Sequence, residues 1–484
     1  MRKRFELQLK IGQTPVSEIY INPKSKNALD QLIAALKELY CNAEYNNKIF
    51  SIIEKHLPAV DPHNGRPGMN LWTIFVLSQV RLSLGASYDM VQHFANNDLL
   101  LRKLLGISDI FGEESFEFEY QNIYDNISVL SEAMLVEIND IIVEFGHGNV
   151  FKKKETTALR LKTDSFVVES NVHFPTDFNL LWDCARKCLD TVKFFLRKYP
   201  QIEGWRKFNN WGSELKSMMR TVGRISSSGG KNKTVKLHKA TELYLSKNRL
   251  LLHKLILEKD NLPFGDEKDL LKHCHLEYYI QLLIKHIDLV ERRILKGEVV
   301  PHGEKMMSIF ETYTEWITKG KSRPAVELGK KLSITTDQFD LILYHKIMDN
   351  EQDRDIVVKI ADTMLNKYKH IGSMSFDRGH WTPENRALLE LEIPRVILPK
   401  LGKLSAAEKE IEQSPAFKHL KNKHSAIESN INELEHRGLD RCPDRSYFHY
   451  ATYIALGVCA YNLKKIGKKI LENRLKELQV KFAA

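Results

Sequence analysis

The stretch Ile371-Gly-Ser-Met-Ser-Phe-Asp-Arg-Gly-His-Trp-Thr-Pro-Glu-Asn-Arg386 has the pattern of a strand, a turn and the start of a helix. Ile371–Phe376 is a short apolar run of the kind found in buried strands. Thr382 followed by Pro383 is a typical helix start, with threonine as the cap and proline in the first helical position. An acid, Asp377, therefore stands directly after a strand. The segments on either side of this strand predict the rest of the fold.

Further strand-like segments occur before and after it. Residues 157–164 alternate between apolar and polar side chains and run into the apolar segment 166–168. Residues 325–334 and 339–347 are joined by a short polar link and predict a hairpin. Residues 395–398 predict one more strand. Helices are predicted for residues 354–368, 383–391, 405–436 and 447–478.

The order of these elements predicts a fold class. Residues 178 to about 318 have a helical pattern almost throughout. Without this insertion, three strands remain and are followed by the order αβαβα, which is the connectivity of a ribonuclease-H-like fold. We therefore predict an α/β ribonuclease-H-like catalytic core at 151–177 and 320–445. We also predict a large α-helical insertion at 178–319, an all-α N-terminal domain at 1–150 and a C-terminal helix at 446–484.

The N-terminal region is predicted to be helical throughout. The helices cover residues 30–57, Leu71–Leu84, 87–96, 99–105 and 117–145. Short helices joined by tight turns indicate a helix-turn-helix-like bundle that binds DNA or a partner. The alternative is a small helical domain without DNA contact.

Three acids occupy the positions that carry carboxylates in the ribonuclease-H-like fold: Asp164 on the first strand, Asp377 after the fourth, and Glu428 in a late helix. Each acid taken alone is commonly structural, as a turn residue or part of a solvated helix face. Together they supply the hard oxygen ligands that two Mg²⁺ ions require, with Mn²⁺ as a possible substitute. The pattern favours in-line displacement at phosphorus.

The charge distribution indicates a nucleic-acid partner. The formal net charge is +10, and residues 206–254 hold twelve lysines and arginines against two acids, an excess equal to that of the whole chain. Phosphate contacts from such a segment are independent of sequence, whereas a solvated helical face is the alternative reading. The candidate DNA-binding residues of this segment are Lys207, Arg220, Arg224, Lys231, Lys233 and Lys236.

Targeting and cysteine patterns narrow the class of protein. No apolar run follows the basic start of the chain and none is long enough to span a bilayer, so we expect a soluble, cytoplasmic, nucleoid-associated protein without membrane contact. Six cysteines in this length do not form a disulfide framework. Cys184 and Cys188 could combine with His273-Cys274-His275 in a zinc site, but core thiols are the favoured interpretation.

Four segments carry a resemblance to a known family: residues 164–177, 323–329, 375–380 and 424–434. They resemble bacterial insertion-sequence transposases of the DDE class, and residues 65–68 with the helices after them are similar to the N-terminal domain of those enzymes. The resemblance spans roughly residues 60–470. It implies binding of terminal inverted repeats, cleavage and strand transfer of double-stranded DNA, and a homodimer in the synaptic complex. It also implies two divalent ions on Asp164, Asp377 and Glu428.

The chain departs from this resemblance around Glu428. Neighbouring transposase families place tyrosine and arginine before the helical glutamate and a lysine one or two turns after it. Here His424 stands four residues before it and Glu435 seven after it. His424 in its protonated form and Arg378, Arg437 and Arg441 are the candidate phosphate contacts instead. Two alternatives remain open: an inactive DNA-binding relic, and a metal-dependent nuclease of the same fold without strand transfer.

Overall fold

The computed structural model describes residues 2–5, 13–57, 68–107, 116–205, 208–318 and 325–483. The chain divides into two compact units: unit 1 is Met1–Asn171 with Glu315–Ala484, and unit 2 is Val172–Thr314. Three sets of residues used in the sequence argument lie outside the described part: 65–67, Lys207 and 323–324.

Helices make up most of the described chain. In chain order they are α1 (Ala28–Cys41), α2 (Ala43–His56), α3 (Leu71–Leu84), α4 (Tyr88–Asn97), α5 (Leu99–Leu104), α6 (Tyr120–Ile127), α7 (Glu132–Phe145), α8 (Asp177–Lys198), α9 (Phe208–Ser227), α10 (Lys233–Glu258), α11 (Glu267–Val290), α12 (Asp353–Lys367), α13 (Pro383–Glu392), α14 (Ala406–Gln413), α15 (Pro415–His424), α16 (Ala426–Leu434) and α17 (Tyr447–Ala483). The strands are β1 (Leu159–Glu169), β2 (Glu315–Thr318), β3 (Val326–Thr336), β4 (Ile342–Ile347), β5 (Ile371–Phe376) and β6 (Val396–Ile397).

Unit 1 contains a mixed six-stranded sheet whose centre is β1. β1 pairs antiparallel with β3 and parallel with β5, and β5 pairs parallel with β6. β2 and β4 both pair antiparallel with β3, β2 along its first residues and β4 along its last. Because β1 has a neighbour on each side and is largely buried, it carries the near-continuous apolar run Phe166-Val-Val168. The protein thus has an α/β sheet with extensive helical parts.

The structure confirms the hairpin, formed by β3 and β4, and the strand Ile371–Phe376. One strand prediction was wrong. β2 lies where helix was expected, since four half-buried residues are too short to show an alternating pattern. Asp164 lies within β1, as predicted, and β1 continues beyond it to Glu169, paired with β3 and bridged at Glu169 by Arg441.

Three predicted long helices are each divided into shorter ones, so those predictions were wrong. The region 30–57 is interrupted at Asn42, whose side chain accepts a hydrogen bond from the Glu44 backbone N–H and starts α2. The region 117–145 is interrupted before Ser131, which caps α7 in the same way. The region 405–436 breaks at Ser414 before Pro415, because proline disfavours helix in the residue before it, and again at Ser425. Polar residues thus interrupt the helices at positions where the apolar periodicity of the sequence continues.

The N-terminal helices and α17 pack in the same unit as the sheet. α17 packs against α1, α3 and α7, and it also contacts β4. Gly467 permits the closest approach, since a Cβ at this position would lie 1.7 Å from the Gln31 carbonyl oxygen. α3 is apolar on every side and nearly all of its residues are buried, which makes it a core helix of unit 1.

Unit 2 is helical in the part from α8 to α11. Its core is formed by apolar residues from these four helices, including Phe195, Leu215, Tyr244 and Leu283. α8 packs along α11, and α9 packs along α10 as a helical hairpin. The unit therefore has a hydrophobic core of its own.

Candidate functional site

Asp164 lies on β1, and Asp377 directly follows the neighbouring parallel strand β5 at the adjacent position. Thr163 on β1 is the register partner of Phe376, the last residue of β5. Asp377 follows in extended backbone, with φ −73° and ψ 163°. Neighbouring strands run about 4.8 Å apart, so the backbones of the two acids are close together. The parallel pairing thus joins two residues that are far apart in sequence.

The third acid, Glu428, lies on a helix that covers the same face of the sheet. Lys162 and Ser375 are register partners and share a face, and Asp164 and Asp377 each follow two residues later on that face. α16 packs against β1 on this face, because its Asn430 donates a hydrogen bond to Asp340, the ion-pair partner of Lys162. Glu428 lies in the first turn of α16. The structure therefore brings the three predicted acids to one face of the sheet.

Electrostatic repulsion within this group acts on Asp164. Burial raises the pKa of its carboxyl, the Ser165 backbone N–H opposes this rise, and the negative charges of Asp377, Asp353 and Glu428 add to it, giving a pKa of about 7. One Asp164 oxygen accepts the Ser165 N–H at 2.7 Å, and one Asp377 oxygen accepts the Arg378 N–H at 2.6 Å. Without a cation, the Asp164 carboxyl therefore retains its proton to a much higher pH than an ordinary aspartate.

The carboxylates do not converge as a ready-made set of metal ligands. Among the described residues, no group of three histidine, cysteine, aspartate or glutamate side chains is arranged to hold a metal ion. Asp377 and Glu428 are exposed, however, so rotation of their side chains meets little steric resistance. A cluster of mutually repelling carboxylates with hard oxygens has the chemistry that Mg²⁺ or Mn²⁺ requires. The residues therefore fit such an ion in chemical type.

His424 approaches this face from the end of α15. Its Nδ1 lies 3.0 Å from the Ser375 hydroxyl oxygen. Burial lowers the pKa of His424 to about 4, against an opposing effect of Asp377 and with a further lowering by His380 and Lys162. The imidazole is consequently neutral at neutral pH, and the protonated form that the phosphate-contact prediction required is not populated there. His424 also belongs to a different helix from Glu428, because the two helices meet at Ser425.

The opposite face of the sheet carries a polar cluster that the sequence argument missed. Ser165 donates a hydrogen bond of 2.5 Å to Asp353 Oδ1, and Lys331 Nζ donates one of 3.0 Å to Asp353 Oδ2. Burial would raise the pKa of Asp353, but these two contacts together hold it below its ordinary value. Asp353 begins α12, so its sequence context indicated only a helix start. The available signal in the sequence was Ser165, because it follows Asp164 and its hydroxyl requires a hydrogen-bond partner on that opposite face.

His380 is the second buried member of this opposite face. Only 1% of it is exposed, and neither ring nitrogen has a hydrogen-bond partner within the described chain. Its ring packs against Phe376 with 5.5 Å between centroids. Burial lowers its pKa, while Asp353 and Asp377 oppose the change. His380 is thus a neutral, buried ring at the end of the turn that follows Asp377.

The three arginine candidates of unit 1 lie in different places. Arg378 directly follows Asp377 and is exposed, so the structure brings it to the acids. Arg437 is half-buried with its backbone against Gly85. Arg441 forms an isolated parallel bridge with Glu169, five residues along β1 from Asp164, and its charge partly offsets the burial that raises the pKa of Glu169. Arg437 and Arg441 are therefore not grouped with the acids.

The basic candidates of unit 2 lie on α9, on α10 and in the loop that joins these two helices. Lys216, Arg220 and Arg224 follow one another at intervals of four residues and form one exposed row on α9. Lys231 and Lys236 are exposed near the start of α10, and Lys233 is half-buried. The predicted residues Arg220, Arg224, Lys231, Lys233 and Lys236 form no ion pair with any described carboxylate. Unit 2 thus presents a set of uncompensated positive charges at this hairpin.

The cysteine and histidine positions of unit 2 are explained by packing. Cys184 and Cys188 are fully buried in the hydrophobic core, and burial raises the pKa of the Cys188 thiol to about 12. The His273 ring stacks on Phe264 at 3.8 Å, while Cys274 is exposed. The Cys184 and Cys188 thiols accordingly act as small apolar side chains.

Comparison with known proteins adds no relative: no family model, no curated protein and no solved structure matches this chain. No helix within the described ranges is both long and apolar enough to cross a membrane.

Proposed function

We propose that this protein is a DDE-class DNA transposase with a ribonuclease-H-like catalytic core and a divalent-metal site formed by Asp164, Asp377 and Glu428. The observation that carries the proposal is the position of these three acids on one face of the sheet. Asp377 lies 213 residues after Asp164, and Glu428 lies 51 residues after Asp377. The negative charges of Asp377 and Glu428 both add to the raised pKa of Asp164.

The topology of the sheet supports the ribonuclease-H-like core. In chain order, β1, β3 and β4 precede α12, β5, α13 and β6, followed by further helices. Apart from the short strand β2, which precedes β3 and pairs with it, this is three strands followed by αβαβα, with unit 2 inserted after the first strand. The three acids stand on the first strand of that order, after the fourth, and on a late helix, as the fold class requires.

The chemistry of the carboxylates supports a metal-dependent reaction. Divalent ions held by these carboxylates would supply activation of a water or a 3′-hydroxyl and neutralisation of the leaving oxygen for in-line displacement at phosphorus. Asp164, Asp377 and Glu428 would hold the ions. Because the pKa of Asp164 is about 7 without a cation, this residue gives up its proton as an ion binds. Arg378, exposed beside Asp377, would contact a phosphate of the bound DNA.

The basic hairpin of unit 2 supports DNA as the substrate. Uncompensated arginines and lysines on an exposed helical row attract the phosphate backbone without reading its sequence. In this proposal the hairpin contributes affinity for double-stranded DNA, and the acids contribute the chemistry. Two copies of the chain would hold the two ends of one element.

The experiment uses the full-length chain with duplex DNA that carries the two sequences bordering its coding region, in Mg²⁺ and in EDTA. A transposase produces breaks at the element ends and then joined products with a target plasmid, and both require the metal. Cleavage without joining identifies a nuclease of the same fold. Binding without cleavage in either Mg²⁺ or Mn²⁺ identifies an inactive DNA-binding relic and overturns the proposal.

A further inference from the structure

Asp353 connects two strands to the start of a helix on the face opposite the three acids. Its Oδ1 accepts the Ser165 hydroxyl of β1 at 2.5 Å, and its Oδ2 accepts Lys331 Nζ of β3 at 3.0 Å. Asp353 is itself the first residue of α12, where a capping box between Gln352 and Asp355 fixes the helix start. Both of its oxygens are occupied by partners within the protein.

The same helix start is also tied to the turn after Asp377. Asn385 Nδ2 donates hydrogen bonds to the Arg354 carbonyl at 2.7 Å and to the His380 carbonyl at 3.1 Å. A Cβ placed on Gly379 would lie 3.7 Å from Asp353 Oδ2, so the turn passes directly over this carboxylate. The beginning of α12 thus contacts the residue after Asp164 and the turn after Asp377.

The two acids need such support because β5 ends just before Asp377, whereas β1 continues through Asp164. β5 stops at Phe376, and beyond this point β1 has a ladder partner only in β3, through the pair Asp164 and Ile334. The backbone of Asp377 leaves the sheet and enters a single 3₁₀ turn. Like charges on Asp164, Asp377 and Glu428 repel one another across this gap. Main-chain pairing alone therefore does not fix the separation of Asp164 and Asp377.

We propose that Asp353 is a positioning residue for the metal site: it holds Ser165 against the start of α12 on the back of the sheet, where Asn385 ties the same helix start to the 378–380 turn, and it thereby sets the spacing of Asp164 and Asp377 on the front. This inference rests on the proposed metal-dependent function. Asp353 does not contact the ion, because its oxygens are engaged and its side chain lies on the face of Ser165. It acts on the ion through Asp164 and Asp377.

The test measures Mn²⁺ binding to the full-length chain by calorimetry, with thermal unfolding in EDTA measured alongside. The variants are Asp353→Ala, Asp353→Asn and Ser165→Ala, with Asp164→Asn as the loss-of-site variant. Exposed Asp362 on the same helix provides the matched control Asp362→Asn. Removal of groups that orient metal ligands typically weakens metal affinity about 10–100-fold. We expect this loss in Asp353→Ala and Ser165→Ala, with unfolding temperatures close to the wild type.

Asp353→Asn separates a positioning role from ligation. Its amide oxygen still accepts the Ser165 hydroxyl, so affinity should stay much nearer the wild type than in Asp353→Ala. If Asp353→Asn loses as much affinity as Asp353→Ala while Ser165→Ala is unaffected, Asp353 is a ligand and the positioning role is overturned. Unchanged affinity in Asp353→Ala, with loss in Asp164→Asn, overturns the positioning role and leaves the metal site standing. A wild-type chain that binds no Mn²⁺ overturns both proposals.

Discussion

Asp164 and Asp377 lie side by side where the central strand β1 continues beyond the end of its parallel neighbour β5. Their preceding residues pair in register, and the next residue of β1 has no partner in β5. Asp164 is half-buried and Asp377 is exposed, so the two carboxyls have different environments. Asp164 carries the electrostatic strain, because burial of its charged form and, to a smaller extent, the neighbouring negative charges raise its pKa to about 7.

This strain predicts a pH-dependent effect of Asp164→Asn on stability. The pKa of Asp164 is raised in the folded state, so the folded chain retains a proton that the unfolded chain releases above about pH 4. The stability that Asp164 contributes is present at low pH and is lost as the pH rises towards 7. In EDTA, we expect Asp164→Asn to be more stable than the wild type at pH 7.5 by about 1–3 kcal/mol, and by much less at pH 5.

Urea denaturation at both pH values measures this difference. His380 and His424 have lowered pKa values and titrate in both proteins, so their contributions to the pH dependence of stability cancel in the difference between variant and wild type. Mg²⁺ should stabilise the wild type at pH 7.5 and leave Asp164→Asn nearly unchanged. A stability difference that is the same at pH 5 and pH 7.5 would show that Asp164 is not under electrostatic strain.

Asp377→Asn should separate catalysis from DNA binding. Asp377 is exposed, and its backbone-capping oxygen can be replaced by an amide oxygen, so folding should be unaffected. Loss of a carboxylate that holds a catalytic ion removes several kcal/mol of transition-state stabilisation, so cleavage should fall at least about 10³-fold. A gel-shift measurement should give DNA affinity within about threefold of the wild type. The metal assignment fails if the variant cleaves DNA at a rate comparable to that of Asp362→Asn.

The sequence predicted the parts of the site that depend on local pattern. Apolar runs and turn residues located β1 and β5, and strand order then grouped Asp164 with Asp377. Asp353 was not predicted, because its role depends on which residue stands opposite Ser165 across the back of the sheet, and no periodicity encodes that contact. The neutral state of His424 was missed for the same reason, since its pKa is set mainly by burial in the folded chain.

Arg220 and Arg224 should contribute sequence-independent affinity for DNA. Both are exposed on one row of α9 and have no carboxylate partner among the described residues. Replacing both by alanine should weaken binding of any duplex and lower the slope of log K against log salt by about 1.8, or 0.9 per phosphate contact. Lys247→Ala with Arg249→Ala is the matched control, because it removes two charges that are already paired with Glu214 and Glu291. Equal slopes for the two double variants would contradict DNA contact by this row.

Asp444→Ala should destabilise unit 1 by leaving a buried cation without its partner. The Arg81 guanidinium forms two hydrogen bonds with the Asp444 carboxylate, at 2.9 and 2.7 Å, and only 4% of the Arg81 side chain is exposed. Removing one partner of a buried pair costs about 3–5 kcal/mol, because the remaining charge is left desolvated. Here we expect about 3 kcal/mol in urea denaturation, since Tyr88 and Tyr453 still offer their ring faces to the guanidinium at 4.1 and 5.0 Å.

The double variant Arg81→Met with Asp444→Ala distinguishes loss of the ion pair from loss of packing. If the cost of Asp444→Ala comes from the unpaired guanidinium, replacing that group with an apolar side chain of similar length should recover part of the stability. The double variant should then be more stable than Asp444→Ala alone, whereas simple addition of two destabilising effects would make it less stable. A double variant that is less stable than either single variant would show that the Arg81 stem, between Tyr88 and Tyr453, stabilises the core mainly through its packing.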